Sequence, residues 1–208
     1  MEVQVLRLGE RLEEAHAAVI LLHGRGASAA DILMAGEPLI EPGFAFIAPN
    51  APKGAWYPLP FTAPLEDNEP WLTYALDTVG QLLVDVERYV PAERIVLLGF
   101  SQGACLAVEF AARHARRYGG VIGWAGGLIG PDGHPRDDNG SLEGTPVVLG
   151  CAEQDPYIPA YRVRETAEIL TRLGATVDLQ LYPDLGHEVN ADELERARGL
   201  LAGVALPH

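Results

Sequence analysis

A serine, an aspartate and a histidine in this chain have the types and order that nucleophilic catalysis needs. Ser101 is the centre of Gly99-Phe100-Ser101-Gln102-Gly103, which follows an apolar run at residues 95–98 and precedes an alanine-rich helical pattern. A short aliphatic run entering G-x-S-x-G, with a helix leaving it, is typical of a nucleophile elbow. The glycines are expected because side chains there would collide with the strand or the helix. We predict that Ser101 projects from a tight, strained turn.

A serine hydroxyl is a poor nucleophile at neutral pH, so it needs a base, and the base needs an acid that holds its tautomer. His187 is the one histidine between the last predicted strand and the last predicted helix, and the other histidines fit surface or terminal positions. Asp155 is the preferred acid because it stands at a turn before a proline. Glu153 and Asp184 are the alternatives, the first more solvated and the second too near the histidine along the chain.

A second glycine-rich turn, His23-Gly24-Arg25-Gly26, follows an early apolar run. Turns of this kind contribute a backbone donor to an oxyanion hole. The predicted donors are the backbone N–H groups of Arg25 and of Gln102, while the histidine of the turn is expected to make a structural hydrogen bond. For the Arg25 side chain, an ion pair with Asp31 or Glu37 is an equal alternative to a role at the site.

These residues would be positioned by strands that alternate with helices. Apolar runs predict strands at residues 3–8, 17–22, 44–48, 95–98, 121–125, 146–150 and 176–182. Helical patterns occupy residues 28–35, 71–90, 102–114 and 159–173, and Asn190 or Asp192 caps a last helix. This alternation predicts an α/β fold with a mostly parallel sheet of about seven strands and helices on both faces, whose sites lie at the carboxyl ends of the strands. We expect a single domain over residues 1–208, with 127–145 an exposed connection too short for a separate cap domain.

The segment at residues 51–69, called loop 51–69 below, is rich in proline and shows no regular hydrophobic period. Long irregular loops in compact domains commonly cover or line a site. Its aromatic residues Trp56, Tyr57 and Phe61, together with Trp71 just after it, are therefore predicted substrate-binding residues. A loop packed onto the core explains the same aromatic residues equally well.

Composition excludes several partners. The chain carries 29 acidic residues against 15 Lys and Arg, for a formal charge of -14, which argues against nucleic acid or an anionic membrane and favours a small, neutral substrate. Cys105 and Cys151 lie in apolar runs and predict buried free thiols rather than a disulfide framework. No signal peptide or membrane span is indicated, so the expectation is a soluble cytoplasmic protein without stable membrane insertion.

Taken together, the two glycine-rich turns, Asp155-Pro156-Tyr157-Ile158-Pro159 and Gly186-His187 resemble the phospholipase/carboxylesterase family of α/β hydrolases over nearly the whole chain. The resemblance implies a triad of Ser101, Asp155 and His187, with oxyanion donors from Arg25 and Gln102. It also implies hydrolysis without a cofactor or metal ion, and a homodimer as one form of the protein. Eukaryotic thioesterases of the family usually carry an apolar residue in place of Arg25, which favours small esters here.

Several functions share these residues. The first hypothesis is a serine carboxylesterase that hydrolyses small neutral esters through an acyl-enzyme, and the alternative is an acyl thioesterase or lysophospholipase with the same triad. A dienelactone hydrolase is disfavoured because its nucleophile is an elbow cysteine, whereas Cys105 lies a helical turn beyond Ser101. A non-catalytic ligand-binding protein of this fold is disfavoured because a binding pocket needs no activated serine.

Overall fold

The computed structural model describes residues 3–205, and a seven-stranded sheet lies at its centre. In chain order the strands are β1 (Val5–Gly9), β2 (Ala17–Leu22), β3 (Phe44–Pro49), β4 (Ile95–Phe100), β5 (Gly120–Trp124), β6 (Pro146–Ala152) and β7 (Thr176–Tyr182). Across the sheet the order is β1-β3-β2-β4-β5-β6-β7, with β1 antiparallel to β3 and the other neighbouring pairs parallel. The predicted mostly parallel sheet is therefore confirmed.

Helices cover both faces of this sheet. They are α1 (Ala29–Gly36), α2 (Trp71–Glu87), α3 (Gln102–Arg113), α4 (Ala160–Arg172) and α5 (Ala191–Ala205). Buried side chains of α1 and α5 pack on one face, and those of α2, α3 and α4 pack on the other. Within residues 3–205 no separate cap domain covers the sheet, and no helix combines the length and apolar character that crossing a bilayer requires. The single-domain prediction for 1–208 includes terminal residues outside this range and stays a prediction.

The middle strands are apolar because both of their faces are covered. Every residue of β2 is buried: Ala18, Ile20 and Leu22 join the layer of α2 to α4, while Val19 and Leu21 join the layer of α1 and α5. This is the continuous apolar pattern expected of a strand inside a parallel sheet. The turns that carry the candidate catalytic residues therefore follow strands that are packed on both faces.

Helix α3 lies deepest in the molecule. Its residues from Gln102 to Ala112 are all buried, and it packs across β4 and β5. Many of these residues are alanine or glycine, which lets the helix axis approach the sheet closely. The start of α3, where the elbow serine lies, is consequently held by packing along almost the whole helix.

The connection at residues 127–145 is only partly exposed, which corrects the sequence interpretation. Residues 126–130 are buried, and backbone groups of residues 127–130 are hydrogen-bonded to side chains of α3 and α4. Glu109 accepts a hydrogen bond from the N–H of Ile129 at 2.9 Å. The Arg162 guanidinium donates to the carbonyl of Leu128, also at 2.9 Å. Buried backbone groups need such partners, and side chains distant in sequence supply them here.

Candidate active site

The elbow between β4 and α3 gives Ser101 an unusual backbone conformation, with φ 54° and ψ -120°. A positive φ in a residue other than glycine marks local strain, and such residues cluster at functional sites. A Cβ on Gly103 would overlap the backbone carbonyl oxygen of Leu22, and one on Gly99 would overlap the backbone of Gly103 itself. Both glycines are therefore required by close backbone approach.

His187 and Asp155 meet Ser101 at the carboxyl ends of the strands. His187 Nε2 lies 2.9 Å from Ser101 Oγ, and His187 Nδ1 lies 2.7 Å from Asp155 Oδ2. Because a carboxylate only accepts, Nδ1 carries the proton, and Nε2 is left to accept from the serine hydroxyl. The structure thus brings the three predicted residues into one hydrogen-bonded series.

Asp155 is held rigidly in the loop after β6. Its side chain is fully buried, and Oδ1 accepts from the N–H groups of Tyr157 at 2.8 Å and Ile158 at 2.9 Å. The alternatives Glu153 and Asp184 are both exposed to solvent. Asp155 is therefore the carboxylate that orients the imidazole.

Two aromatic rings that were not predicted as site residues flank that imidazole. The Phe100 and Tyr157 ring centroids lie 5.0 Å and 4.9 Å from that of His187. Phe100 is the residue before the elbow serine, and Tyr157 follows Asp155 by two positions. Their nearness along the chain to catalytic-type residues was the available signal. Tyr157 is 68% exposed, so its ring forms an outer wall of the site.

The turn after β2 lies directly against the elbow. A Cβ added to Gly24 would lie 3.4 Å from Ser101 Cβ, in ordinary contact. His23 is buried; its Nδ1 donates to the carbonyl of Gly24 at 2.7 Å, and its Nε2 accepts from the N–H of Ala51 at 3.0 Å. Burial lowers the pKa of His23, which keeps the ring neutral. The structure therefore gives His23 the predicted structural hydrogen bonds.

The backbone N–H groups of Arg25 and Gln102 remain candidates for an oxyanion hole. Gln102 is the first residue of α3, so its N–H has no acceptor within the helix. Within residues 3–205 neither of the two N–H groups donates a hydrogen bond to the protein. The positive end of the α3 dipole lies at the same place and favours developing negative charge.

The side chains of the same two residues bind loop 51–69. Gln102 Oε1 accepts from the N–H of Trp56 at 2.9 Å, and Gln102 Nε2 donates to the carbonyl of Tyr57 at 2.8 Å. The Arg25 guanidinium donates to the carbonyls of Pro58 and Leu59, each at 2.8 Å.

Arg25 therefore forms neither of the ion pairs considered from the sequence. The Asp31 carboxylate instead accepts from the N–H and the hydroxyl of Ser28 and caps α1. Ser28 and Asp31 form a capping box, in which each side chain accepts from the other residue's backbone N–H.

The predicted substrate-binding aromatic residues divide into two groups. Trp56, Tyr57 and Phe61 are 2%, 1% and 5% exposed and pack in the apolar core, whereas Trp71 is 46% exposed. Burial of the first three favours the alternative interpretation, a loop packed on the core. A lining role stays a prediction, and only Trp71 has the exposure that it requires.

The described residues offer no other nucleophile or metal centre at this edge. Burial raises the pKa of both Cys105 and Cys151 to about 12, so each thiol stays protonated and unreactive. Within residues 3–205 no group of three or more His, Cys, Asp or Glu side chains is arranged to hold a metal ion.

An open, mostly parallel sheet with a nucleophile elbow after a central strand and a histidine after the last strand defines an α/β hydrolase. The profile of the family described as Phospholipase/Carboxylesterase matches residues 6–204. The chain belongs to the phospholipase/carboxylesterase family. It is therefore a hydrolase of the esterase and thioesterase class.

Known proteins similar to the chain include a carboxylesterase and acyl-protein thioesterases. A phospholipase/carboxylesterase crystal structure from Dyadobacter fermentans is 38% identical, covers 97% of each chain and superposes with a TM-score of 0.92. Acyl-protein thioesterase 1 of Saccharomyces cerevisiae is 24% identical over 91% of this chain and 93% of its own length. Acyl-protein thioesterase 1 of Gibberella zeae is 31% identical, but the match spans only 56% of this chain and 51% of that protein.

Proposed function

We propose that the protein is a cofactor-independent serine carboxylesterase that hydrolyses small neutral esters through an acyl-enzyme. The observation that carries the proposal is the hydrogen-bonded series Ser101–His187–Asp155, with distances of 2.9 Å and 2.7 Å. Such a series can turn a serine hydroxyl into a nucleophile at neutral pH.

In the first half of the reaction, Ser101 Oγ attacks the ester carbonyl carbon while His187 Nε2 accepts the hydroxyl proton. The backbone N–H groups of Arg25 and Gln102 donate to the oxyanion that forms. The tetrahedral species then collapses, the bond from carbon to the alcohol oxygen breaks, and Nε2 gives its proton to the leaving alcohol. An acyl-Ser101 ester remains.

In the second half, water takes the place of the alcohol. Nε2 removes a proton from water as the water oxygen attacks the acyl carbon, and the same proton returns to Oγ when the acid leaves. Asp155 does not take up a proton; it holds the imidazole in the required tautomer and stabilises the charged ring. Its fully buried carboxylate, with both oxygens bonded, suits that task.

Small, neutral substrates agree with the surroundings of Ser101. The guanidinium of Arg25 is engaged with backbone carbonyls, so an anionic substrate would have to approach a chain of net charge -14 without a free cation from this residue. The buried aromatic residues of loop 51–69 are occupied in the core. Free, buried cysteines are typical of a reducing compartment, and the cytoplasm is the proposed location.

A thioesterase or lysophospholipase using the same residues is the second candidate. It is favoured by the similarity to an acyl-protein thioesterase over 91% of this chain. Thioesters and oxygen esters need the same nucleophile, base and oxyanion donors, so only acyl length and leaving group would distinguish the two.

The test is the Ser101→Ala variant. We expect turnover of p-nitrophenyl acetate and butyrate to fall by about 10⁴-fold or more, with the far-UV circular dichroism unchanged, because the covalent route is removed. A fluorophosphonate should add one adduct to the wild-type chain, located at Ser101 by peptide mass, and none to the variant.

Ser141→Ala is the matched control, because Ser141 is an exposed loop serine. It should keep wild-type turnover and labelling. If Ser101→Ala also keeps them, the serine mechanism is wrong. Comparing butyryl esters with butyryl thioesters, and then with longer acyl chains, separates the two candidate activities by kcat/KM.

A further inference from the structure

The two residues whose backbone N–H groups form the proposed oxyanion hole are both tied, through their side chains, to four consecutive residues of loop 51–69. Gln102 bonds to the first pair, Trp56 and Tyr57, and Arg25 bonds to the backbone of the next pair. We propose that the side chains of Arg25 and Gln102 are positioning residues that orient their own backbone N–H groups toward the oxyanion. This inference rests on the serine mechanism proposed above.

The Gln102 side chain is chemically matched to its two partners. An amide accepts and donates at once, and here it accepts from one backbone N–H and donates to the next carbonyl. The side chain is 6% exposed, so these bonds form away from water, where losing them is expensive. The preceding residue, Ser101, has a strained backbone with φ 54°, and bonds from Gln102 help to keep the intervening peptide plane in place.

Arg25 needs an anchor for a different reason. It lies between Gly24 and Gly26, the latter with φ 78°, so its neighbours bring no side chains that could hold the turn by packing. Its planar guanidinium donates to the carbonyls of Pro58 and Leu59 together. A lysine ammonium, whose charge is concentrated at one point, would bind both carbonyls less well. Although Arg25 is exposed in an acidic protein, its side chain is thus held by backbone carbonyls and not by a carboxylate.

Loop 51–69 can hold the side chains of Arg25 and Gln102 in place because the loop is itself held by the rest of the protein. Trp56 and Tyr57 are buried in the core, and Trp56 Nε1 donates to the carbonyl of His23 at 2.9 Å. The N–H of Gly26 donates to the carbonyl of Gly54 at 2.7 Å. Trp56 and Tyr57, which were predicted to bind the substrate, would then serve the reaction indirectly by making the loop rigid.

The experiment removes each anchor without removing a backbone donor. Gln102→Met keeps the side-chain length and loses both hydrogen bonds. Arg25→Met, on the surface, loses both hydrogen bonds of the guanidinium and keeps an unbranched side chain. Arg25→Lys keeps the charge and a single donor group. Thr145→Val is the matched control, because Thr145 is also buried and accepts from the N–H of Tyr118 at 3.0 Å, but it lies at the amino end of β6, outside loop 51–69.

The measurements are kcat and KM for p-nitrophenyl butyrate, the inhibition constant of a short trifluoromethyl ketone, and the melting temperature. The ketone forms a tetrahedral adduct whose oxygen occupies the oxyanion hole. Since removing one donor lowers kcat by about 10²–10³-fold, a misdirected donor should lower it by roughly tenfold to a hundredfold. We expect that loss for Gln102→Met and about tenfold for Arg25→Met, with KM within about twofold and ketone affinity reduced in proportion to kcat.

Arg25→Lys should recover part of the loss, and Thr145→Val should lower the melting temperature while keeping kcat within about twofold. The inference is overturned if Thr145→Val lowers kcat as much as the two Met variants, or if ketone affinity stays at the wild-type value while kcat falls. If Gln102→Met does not fold, the exposed Arg25 variants decide alone. Wild-type turnover in both Met variants would show that the side chains of Arg25 and Gln102 do not position the donors. If that turnover still depends on Ser101, the serine mechanism is retained.

Discussion

Two buried carboxyl groups lie beside β6, and their surroundings differ. Asp155 has partners on both oxygens, with two backbone N–H groups on Oδ1 and the imidazole of His187 on Oδ2. Glu193, in the first turn of α5, is 1% exposed; its Oε2 accepts from the N–H of Asn190 at 2.9 Å, but within residues 3–205 its Oε1 has no partner. That oxygen rests against the backbone of Gly150.

The difference shows that burial alone does not make a carboxylate part of a reaction. Desolvation is the largest cause that raises the pKa of Glu193 to about 7, with the nearby Asp192 adding to it. A carboxyl that is poorly solvated and half-bonded favours its neutral form. Asp155 instead has hydrogen-bond donors on both oxygens, one of them the imidazole of His187, so its position, rather than its burial, suits it to the role proposed above.

The largest effect that would test this contrast is on turnover. Asp155→Asn should lower kcat by about 10⁴-fold with the fold retained, because the amide no longer holds the imidazole in the tautomer that accepts from Ser101. Glu193→Gln, the matched change at the other buried carboxyl, should keep kcat within about threefold. Steady-state kinetics on p-nitrophenyl butyrate measures both. Equal losses of kcat in the two variants would show that Asp155 and Glu193 do not differ in their effect on turnover.

The second effect is on stability as a function of pH. Glu193 has a pKa of about 7 in the folded chain against a reference of 4.5, so the folded state binds the proton more tightly. Its contribution is therefore fully present below about pH 4.5 and is lost as the pH rises through about 7, by about 3 kcal/mol in the free energy of unfolding. Urea denaturation of the wild type and of Glu193→Gln between pH 5 and 8 measures the difference.

The side chain introduced by Glu193→Gln is neutral throughout, so the difference between the two proteins isolates this group from all other titrations. We expect wild type to lose stability relative to the variant as the pH rises. Parallel curves for the two proteins would mean that Glu193 titrates normally, and the contrast with Asp155 would then lie in position only.

The smallest effect concerns the cap that holds Glu193. Asn190 Oδ1 accepts from the N–H of Glu193 at 2.9 Å, so Asn190→Ala should lower the free energy of unfolding by about 1 kcal/mol. Asn139→Ala, in an exposed loop, is the control and should change it by less than about 0.5 kcal/mol. Equal values for both would show that this cap contributes nothing measurable.

The arrangement around Ser101 was predictable because chemistry and chain order restrict it strongly. A nucleophile between two required glycines, a histidine after the last strand and an aspartate after the strand before it leave few choices in the sequence. The five inner strands were predictable for a similar reason, because continuous apolar runs are what strands covered on both faces require. The structure places His187 within hydrogen-bonding distance of both Ser101 and Asp155.

The role of the Arg25 side chain was not predictable, because its acceptors are the main-chain carbonyls of Pro58 and Leu59. Every residue has a carbonyl, so the sequence carries no sign of such a bond. The aromatic residues of loop 51–69 posed a related problem, since a buried ring and a substrate-lining ring look alike in sequence. Tertiary packing alone separates Tyr57 from Trp71.

Glu193 was missed although a signal existed. Asn190 and Glu193 have the spacing of a capping box, in which each side chain accepts from the other residue's backbone N–H, and both bonds are present. The sequence pattern was interpreted as a cap by Asn190 or Asp192, and Glu193 was not included. The burial of the glutamate follows from the packing of α5 against β6, which no local pattern describes.

The near-complete burial of α3 has a consequence for changing what this hydrolase accepts. Enlarging or reshaping a residue between 104 and 112 would disturb the interior on which the elbow rests, so losses of activity there would report damage to the scaffold. Leu59, Trp71 and Tyr157 are 39%, 46% and 68% exposed and can vary with little strain. A library aimed at new acyl groups therefore belongs on the loops, with the central helix left untouched.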